Sequence, residues 1–149
     1  MNDINLTARQ VADQWYRDWF AFNELYAQWA KRYGVNFTIL FCLYAIYHSE
    51  TAPTPGQVAT KLCLSKQTIN SALDILEAKG YITRTVAPTN RRSRLIALTR
   101  EGKELTKGLM EKLYVLEERV FGVLPARDRK SLLRITNRLT SEMEKSVDD

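Results

Sequence analysis

Apolar residues recur along the first part of the chain at Ala8, Ala12, Trp15, Trp19, Phe22, Tyr26, Trp29 and Tyr33, in alternating steps of four and three. That alternation is a heptad seam. It predicts one long helix, Ala8 to Tyr33, with an apolar edge that needs a partner helix. Val11, Tyr16, Phe20, Ala27 and Ala30 add a second strip, so more than one side is expected to meet a neighbour. Gly34 ends this helix and Asn36 caps another, from Phe37 to about Ser49. Phe37, Ile39, Leu40, Phe41, Leu43, Tyr44, Ile46 and Tyr47 leave it almost no polar face, and a helix apolar all round is expected to be a buried hub. His48, the single histidine, reads as a surface or capping group at its end.

From Thr54 the periods shorten. Thr54, Pro55 and Gln57 form a helix-start signal, and Val58, Ala59 and Leu62 give that short helix one apolar face. A second start follows at Ser65. Ile69, Ala72, Leu73 and Leu76 then repeat at helical spacing and predict a buried stripe. The opposite side of the first two turns carries Lys66, Gln67, Asn70 and Ser71, which can bond base edges or phosphates. Gly80 ends the helix. Two runs with strand character follow, Tyr81 to Val86 and Arg94 to Leu98, joined by a polar loop from Ala87 to Ser93 that contains Arg91 and Arg92. Thr99 caps a helix to about Phe121, along which Leu105, Leu109, Leu113, Leu116 and Val120 line one side. A last helix, Ala126 to about Lys145, places Leu132, Ile135, Leu139 and Met143 on one face. Its Arg127, Arg129, Lys130, Arg134 and Arg138 stand among acids and read as a solvated face.

Two short helices, a tight turn, a further strand pair and an arginine-bearing loop make up a winged helix-turn-helix. The expected fold class is mainly α with a small β-hairpin wing (α+β), flanked by long N- and C-terminal helices. Charge sharpens this picture. Residues 1–50 carry 4 Lys and Arg against 5 Asp and Glu, residues 51–103 carry 9 against 3, and residues 104–149 carry 9 against 9. The basic excess is thus confined to the segment suspected of meeting double-stranded DNA. Ser65, Lys66, Gln67, Thr68, Asn70 and Ser71 are the candidate contacts on the helix, with Gln67, Asn70 and Ser71 assigned to bases and Lys66 and Thr68 to phosphates. Arg91, Arg92 and Arg94 are assigned to the backbone or the minor groove, whose negative potential attracts arginine.

The same residues resemble the MarR family of bacterial winged-helix regulators, from about Gly34 to Leu105. Ala59 falls where the helix-turn-helix motif wants a small residue and Ile69 where it wants a buried aliphatic, while Cys63 replaces a common turn glycine. Leu76-Glu77-Ala78-Lys79-Gly80-Tyr81-Ile82 is similar to the family's helix end. Arg91 through Gly102 is similar to its second wing strand and following helix start. The family's Asp-x-Arg-Asp wing tip is replaced by Ala87-Pro88-Thr89-Asn90, although Arg92 matches the arginine after that run, so the tip contact passes to Arg91 or Arg92. The resemblance implies a homodimer held by residues 8–33 and 99–147 around a DNA-binding domain at 34–98. It also implies a transcriptional regulator, a repressor on an inverted-repeat operator, relieved by a small-molecule effector or an oxidant. An aromatic effector would be walled by Trp15 and Trp19.

Other classes are disfavoured. The sequence has no nucleophile elbow, no phosphate-binding glycine loop and no metal-ligand cluster, so neither catalytic residues nor cofactors are expected. Cys42 and Cys63 show no metal or dithiol spacing, and both are expected to be small buried thiols. Since oxidant-sensing family members use a cysteine, the resemblance offers Cys63 as a switch instead. The start Met1-Asn2-Asp3 carries no secretory signal and no apolar run spans a bilayer, so the protein is expected to be cytoplasmic, without membrane contact. The remaining alternative is a winged-helix protein that uses its helices for protein contacts without reading DNA.

Overall fold

The computed structural model describes residues 6–147, so Met1-Asn2-Asp3 lies outside the described residues. The order is α1 (Ala8–Arg32), α2 (Phe37–Tyr47), α3 (Pro55–Leu62), α4 (Lys66–Ala78), β1 (Ile82–Ala87), β2 (Asn90–Leu98), α5 (Arg100–Gly122) and α6 (Ala126–Ser146). This is the mainly helical, winged arrangement the sequence predicts. The chain forms two compact units, one up to Lys107 and one from Gly108 onward. Among the described residues no helix is long and apolar enough to cross a membrane.

In the first unit, α1 opens with a capping box in which Thr7 Oγ1 accepts from Gln10 N and Gln10 Oε1 accepts from Thr7 N. Gly34, at φ 76°, turns the chain after it. α2 is the hub that its composition predicts. Ile39, Leu40, Cys42, Leu43, Ala45 and Ile46 are buried, and the helix packs against α1, α3, α4 and β2. Val58 and Ala59 from α3, Ile69, Leu73 and Leu76 from α4, and Ile82 and Ile96 from the strands close the core. Each of the valine, leucine and isoleucine side chains contributes about 1.5–3 kcal/mol by leaving water. His48 is the exposed C-cap of α2, its Nδ1 2.8 Å from the Tyr44 carbonyl.

Hydrogen bonds near the base of the wing seat it. Ile96 N donates to the Pro53 carbonyl at 2.8 Å, tying β2 to the chain that leads into α3. Thr99 N donates to the Tyr81 carbonyl at 3.0 Å, while Thr99 Oγ1 donates to the Gly80 carbonyl and accepts from Gly102 N, which caps α5. Gly102 lies directly on the Tyr81 peptide, where an added Cβ would stand 1.8 Å from the Tyr81 oxygen. Glycine is therefore required there by space rather than by dihedral angle. α1 buries only Ala30, and Val11, Trp15, Trp19, Phe20 and Leu25 remain exposed.

The second unit holds the rest of α5 and α6. Leu109, Met110 and Leu113 are buried, whereas α6 buries no residue and exposes Leu133, Ile135, Leu139 and Met143. Its start at Pro125 has no side-chain cap.

Candidate nucleic-acid interface

Helix α3 is nucleated as the sequence predicts, with Thr54 Oγ1 accepting from Gln57 N at 3.2 Å and Gln57 Oε1 accepting from Thr54 N at 2.8 Å. The turn into α4 is made at Cys63, whose φ of 53° and ψ of 39° make it the only non-glycine residue with positive φ among the described residues. An L-residue pays roughly 1–2 kcal/mol for that conformation, which explains why glycine is common at such a turn. The expectation that both cysteines are buried is corrected here. Cys42 is buried but Cys63 is exposed, because a helix C-cap aims its side chain outward from a surface turn.

Ser65 caps α4, its Oγ accepting from Thr68 N at 3.0 Å and lying 2.8 Å from Thr68 Oγ1. Ser71 Oγ donates back to the Gln67 carbonyl at 3.0 Å. The three hydroxyl groups therefore already have partners within the helix. Lys66, Gln67 and Asn70 are exposed, and their side chains have no hydrogen-bond partner among the described residues. With Ile69, Ala72, Leu73 and Leu76 buried, the polar side of α4 faces outward. A shallow groove runs along it, lined by Gln67, Thr68, Ser71 and Ile75 of α4 and by Asn36 and Thr38 at the start of α2.

The wing is an antiparallel pair in which Ile82 faces Leu98 and Val86 faces Arg94, after which the register jumps so that Ala87 faces Asn90. The expected loop from Ala87 to Ser93 is corrected accordingly, since only Pro88 and Thr89 separate the strands. Just past that turn, Asn90 Oδ1 accepts from Arg92 N at 3.0 Å. The jump leaves Arg91, Arg92 and Ser93 without opposite partners, so they form a bulge on β2. Arg91, Arg92 and Arg94 are exposed and form no ion pair among the described residues. No acid stands between Ala87 and Arg94.

Arg84, also in the wing, behaves differently. Its Nη2 lies 2.6 Å from Asp74 Oδ1 and 2.6 Å from Glu77 Oε2, and Nε donates to the same Glu77 oxygen at 3.1 Å. These bonds hold the Glu77 carboxyl below its ordinary range and raise the Arg84 guanidinium above its own. Both acids of α4 are thus paired to the wing.

Residues 33–93 match the family model described as MarR family. The chain belongs to the MarR family. It is similar to the HTH-type transcriptional regulator PrsX of Escherichia coli, at 30% identity over 111 residues covering 71% of this chain and 64% of PrsX. The match thus spans slightly less than two thirds of that relative's length. Among solved structures, the MarR-family regulator NMB1585 from Neisseria meningitidis superposes with a TM-score of 0.79 at 24% identity, over 91% of this chain and 95% of that one. The S. aureus MepR–DNA complex gives 0.75 at 18% identity, over 93% and 99%.

Within this MarR framework the structure brings Ser65, Lys66, Gln67, Thr68, Asn70 and Ser71 together on α4 and separates them from Arg91, Arg92 and Arg94 on the wing. Trp15 and Trp19 lie elsewhere, on α1, with stacked rings 5.7 Å apart and inclined by 10°. Sequence reasoning missed Thr38, Ile75 and the Asp74, Glu77 and Arg84 cluster. Thr38 gave a signal, as a polar residue in an otherwise apolar helix. Asp74 and Glu77 gave another, since a spacing of three puts two acids on one helix face.

Proposed function

We propose that this chain is a sequence-specific DNA-binding transcriptional regulator that acts as a homodimeric repressor. The observation that carries this reading is the unpaired state of the outward polar groups. Gln67 and Asn70 on α4, and Arg91, Arg92 and Arg94 on an acid-free hairpin, are exposed and hold no partner within the described residues. Amides suit base edges and arginines suit phosphates or a narrow minor groove, so helix and wing have complementary tasks. Likeness to PrsX and to a MepR structure solved with DNA supports the same reading.

The partners follow from exposed apolar surface. Trp15, Trp19 and Phe20 on α1 and Leu133, Leu139 and Met143 on α6 are about half exposed or more, which a lone soluble chain tolerates poorly. Residues 8–33 and 99–147 would bury these faces against a second copy, leaving 34–98 as the DNA-binding domain. A two-fold dimer reads an inverted repeat with half-sites ~10 base pairs apart, or a multiple of that. An aromatic effector at the Trp15 and Trp19 pair would relieve repression by favouring a dimer with wrongly spaced recognition helices, to the extent that it binds that state better. A DNA-bound protein of this kind works in the cytoplasm and has no need of catalysis.

Selection from a random duplex pool with purified protein tests the core of the proposal. A recovered inverted repeat bound by two chains is expected. A monomer that enriches no sequence at low salt would end it.

A further inference from the structure

Asp74 and Glu77 are the only acids of α4, and they stand on the helix that carries the free amides. Two uncompensated carboxylates within a Debye length of ~8 Å of phosphates would repel DNA. Arg84 neutralises part of this charge, but its geometry does more. The guanidinium bonds two carboxylates from successive turns of α4, and its own side chain is only 19% exposed, against 65% for Asp74 and 41% for Glu77. The arginine is the anchored member, and the acids reach to it. A planar fork holding two acceptors fixes direction as well as charge, which a lysine ammonium does not.

The position of Arg84 in the wing gives that direction a use. It faces Ile96 across the pair, and Ile96 N is bonded to the Pro53 carbonyl. The base of the hairpin is therefore held on both strands, through Arg84 to α4 and through Ile96 to the chain entering α3. Among the described residues no other side-chain hydrogen bond or ion pair joins α4 to the wing.

We propose that Arg84 is a positioning residue for DNA reading: its clasp on Asp74 and Glu77 sets the angle between the α4 helix and the hairpin, beyond cancelling charge. This rests on the DNA-reading function proposed above. Charge and positioning predict opposite signs in one variant. Asp74→Asn/Glu77→Gln leaves Arg84 in place and makes the surface more positive by two charges. Were charge the whole role, it would bind selected and random duplexes more tightly, and their affinity ratio would stay constant. As a clasp variant it is expected to bind random duplex more tightly and the selected duplex more weakly, lowering the ratio by about tenfold.

The probe is the duplex recovered by selection with the wild-type protein, compared with a random duplex by fluorescence anisotropy at one salt concentration. Arg84→Lys, which keeps the charge and loses the fork, is expected to lower the ratio in the same direction. It carries the test should the double variant melt early by circular dichroism. A ratio unchanged in both folded variants overturns the clasp alone. A wild-type protein that does not distinguish the two duplexes overturns the DNA-reading function itself, and the clasp with it.

Discussion

The Arg84 Nη2 and Glu77 Oε2 atoms lie 2.6 Å apart, joining a wing strand to the end of α4. The arginine's hydrogen bond holds the Glu77 carboxyl below its ordinary range. A depressed folded-state pKa contributes stability above the unfolded value and loses it as pH falls through the folded value. Removing the partner in Arg84→Gln should therefore cost stability at neutral pH and progressively less below pH ~4.3, where unfolded carboxyls protonate. Urea unfolding at pH ~7 and ~3 checks this, since a wild-type advantage of equal size at both would contradict it.

The free amide of Asn70 and the unpaired guanidinium of Arg91 should fail in different ways. Asn70→Ala is expected to cost ~1–3 kcal/mol on the selected duplex and to relax preference at one position. Arg91→Ala is expected to weaken every duplex alike and to reduce the salt slope by roughly one. Affinity measured against salt for both variants separates these patterns, and an Arg91→Ala protein with an unaltered slope would remove the bulge from the interface.

Gly102 and Gly108 sit in the same helix and should respond oppositely to alanine. At Gly102 the new Cβ meets a backbone carbonyl at 1.8 Å, so Gly102→Ala should destabilise by ~3 kcal/mol or more. At Gly108 nothing lies within 4 Å, so Gly108→Ala should stabilise by ~0.5–1 kcal/mol through helix propensity. Thermal unfolding of the two variants is the measurement, and a tolerant Gly102 would place the Tyr81 contact in error.

Cys63 offers two linked outcomes. Cys63→Gly should relieve the left-handed strain and stabilise by ~0.5–1 kcal/mol after the added freedom of the unfolded chain is deducted. A thiol reagent applied to the native protein should modify Cys63 and spare Cys42, whose burial pushes its thiol up to about 11. Equal labelling of both would show that α2 opens more readily than a buried hub should.

Most of this fold was legible because its signals are local. The Thr54 capping box, the Ser65 cap, the glycine stops and the all-round apolar α2 each follow from a few neighbouring residues. The wing's true length was less legible, because Ala87 and Asn90 pair across a two-residue turn while three residues bulge from one strand. Cys63 was misplaced because composition favours burying a cysteine, whereas its turn position turns it outward. The Arg84 cluster joins residues ten and seven apart across two elements, and no periodicity records such a contact. Which of the polar α4 residues are already engaged also depends on rotamers that a sequence does not carry.

These internal engagements limit what the helix would recognise. With Ser65, Thr68 and Ser71 engaged in their own helix, α4 presents two free carboxamides and no arginine. Glutamine and asparagine match the Hoogsteen edge of adenine, whereas guanine calls for arginine or lysine. An operator read by this helix should accordingly be rich in A·T pairs at the centre of each half-site.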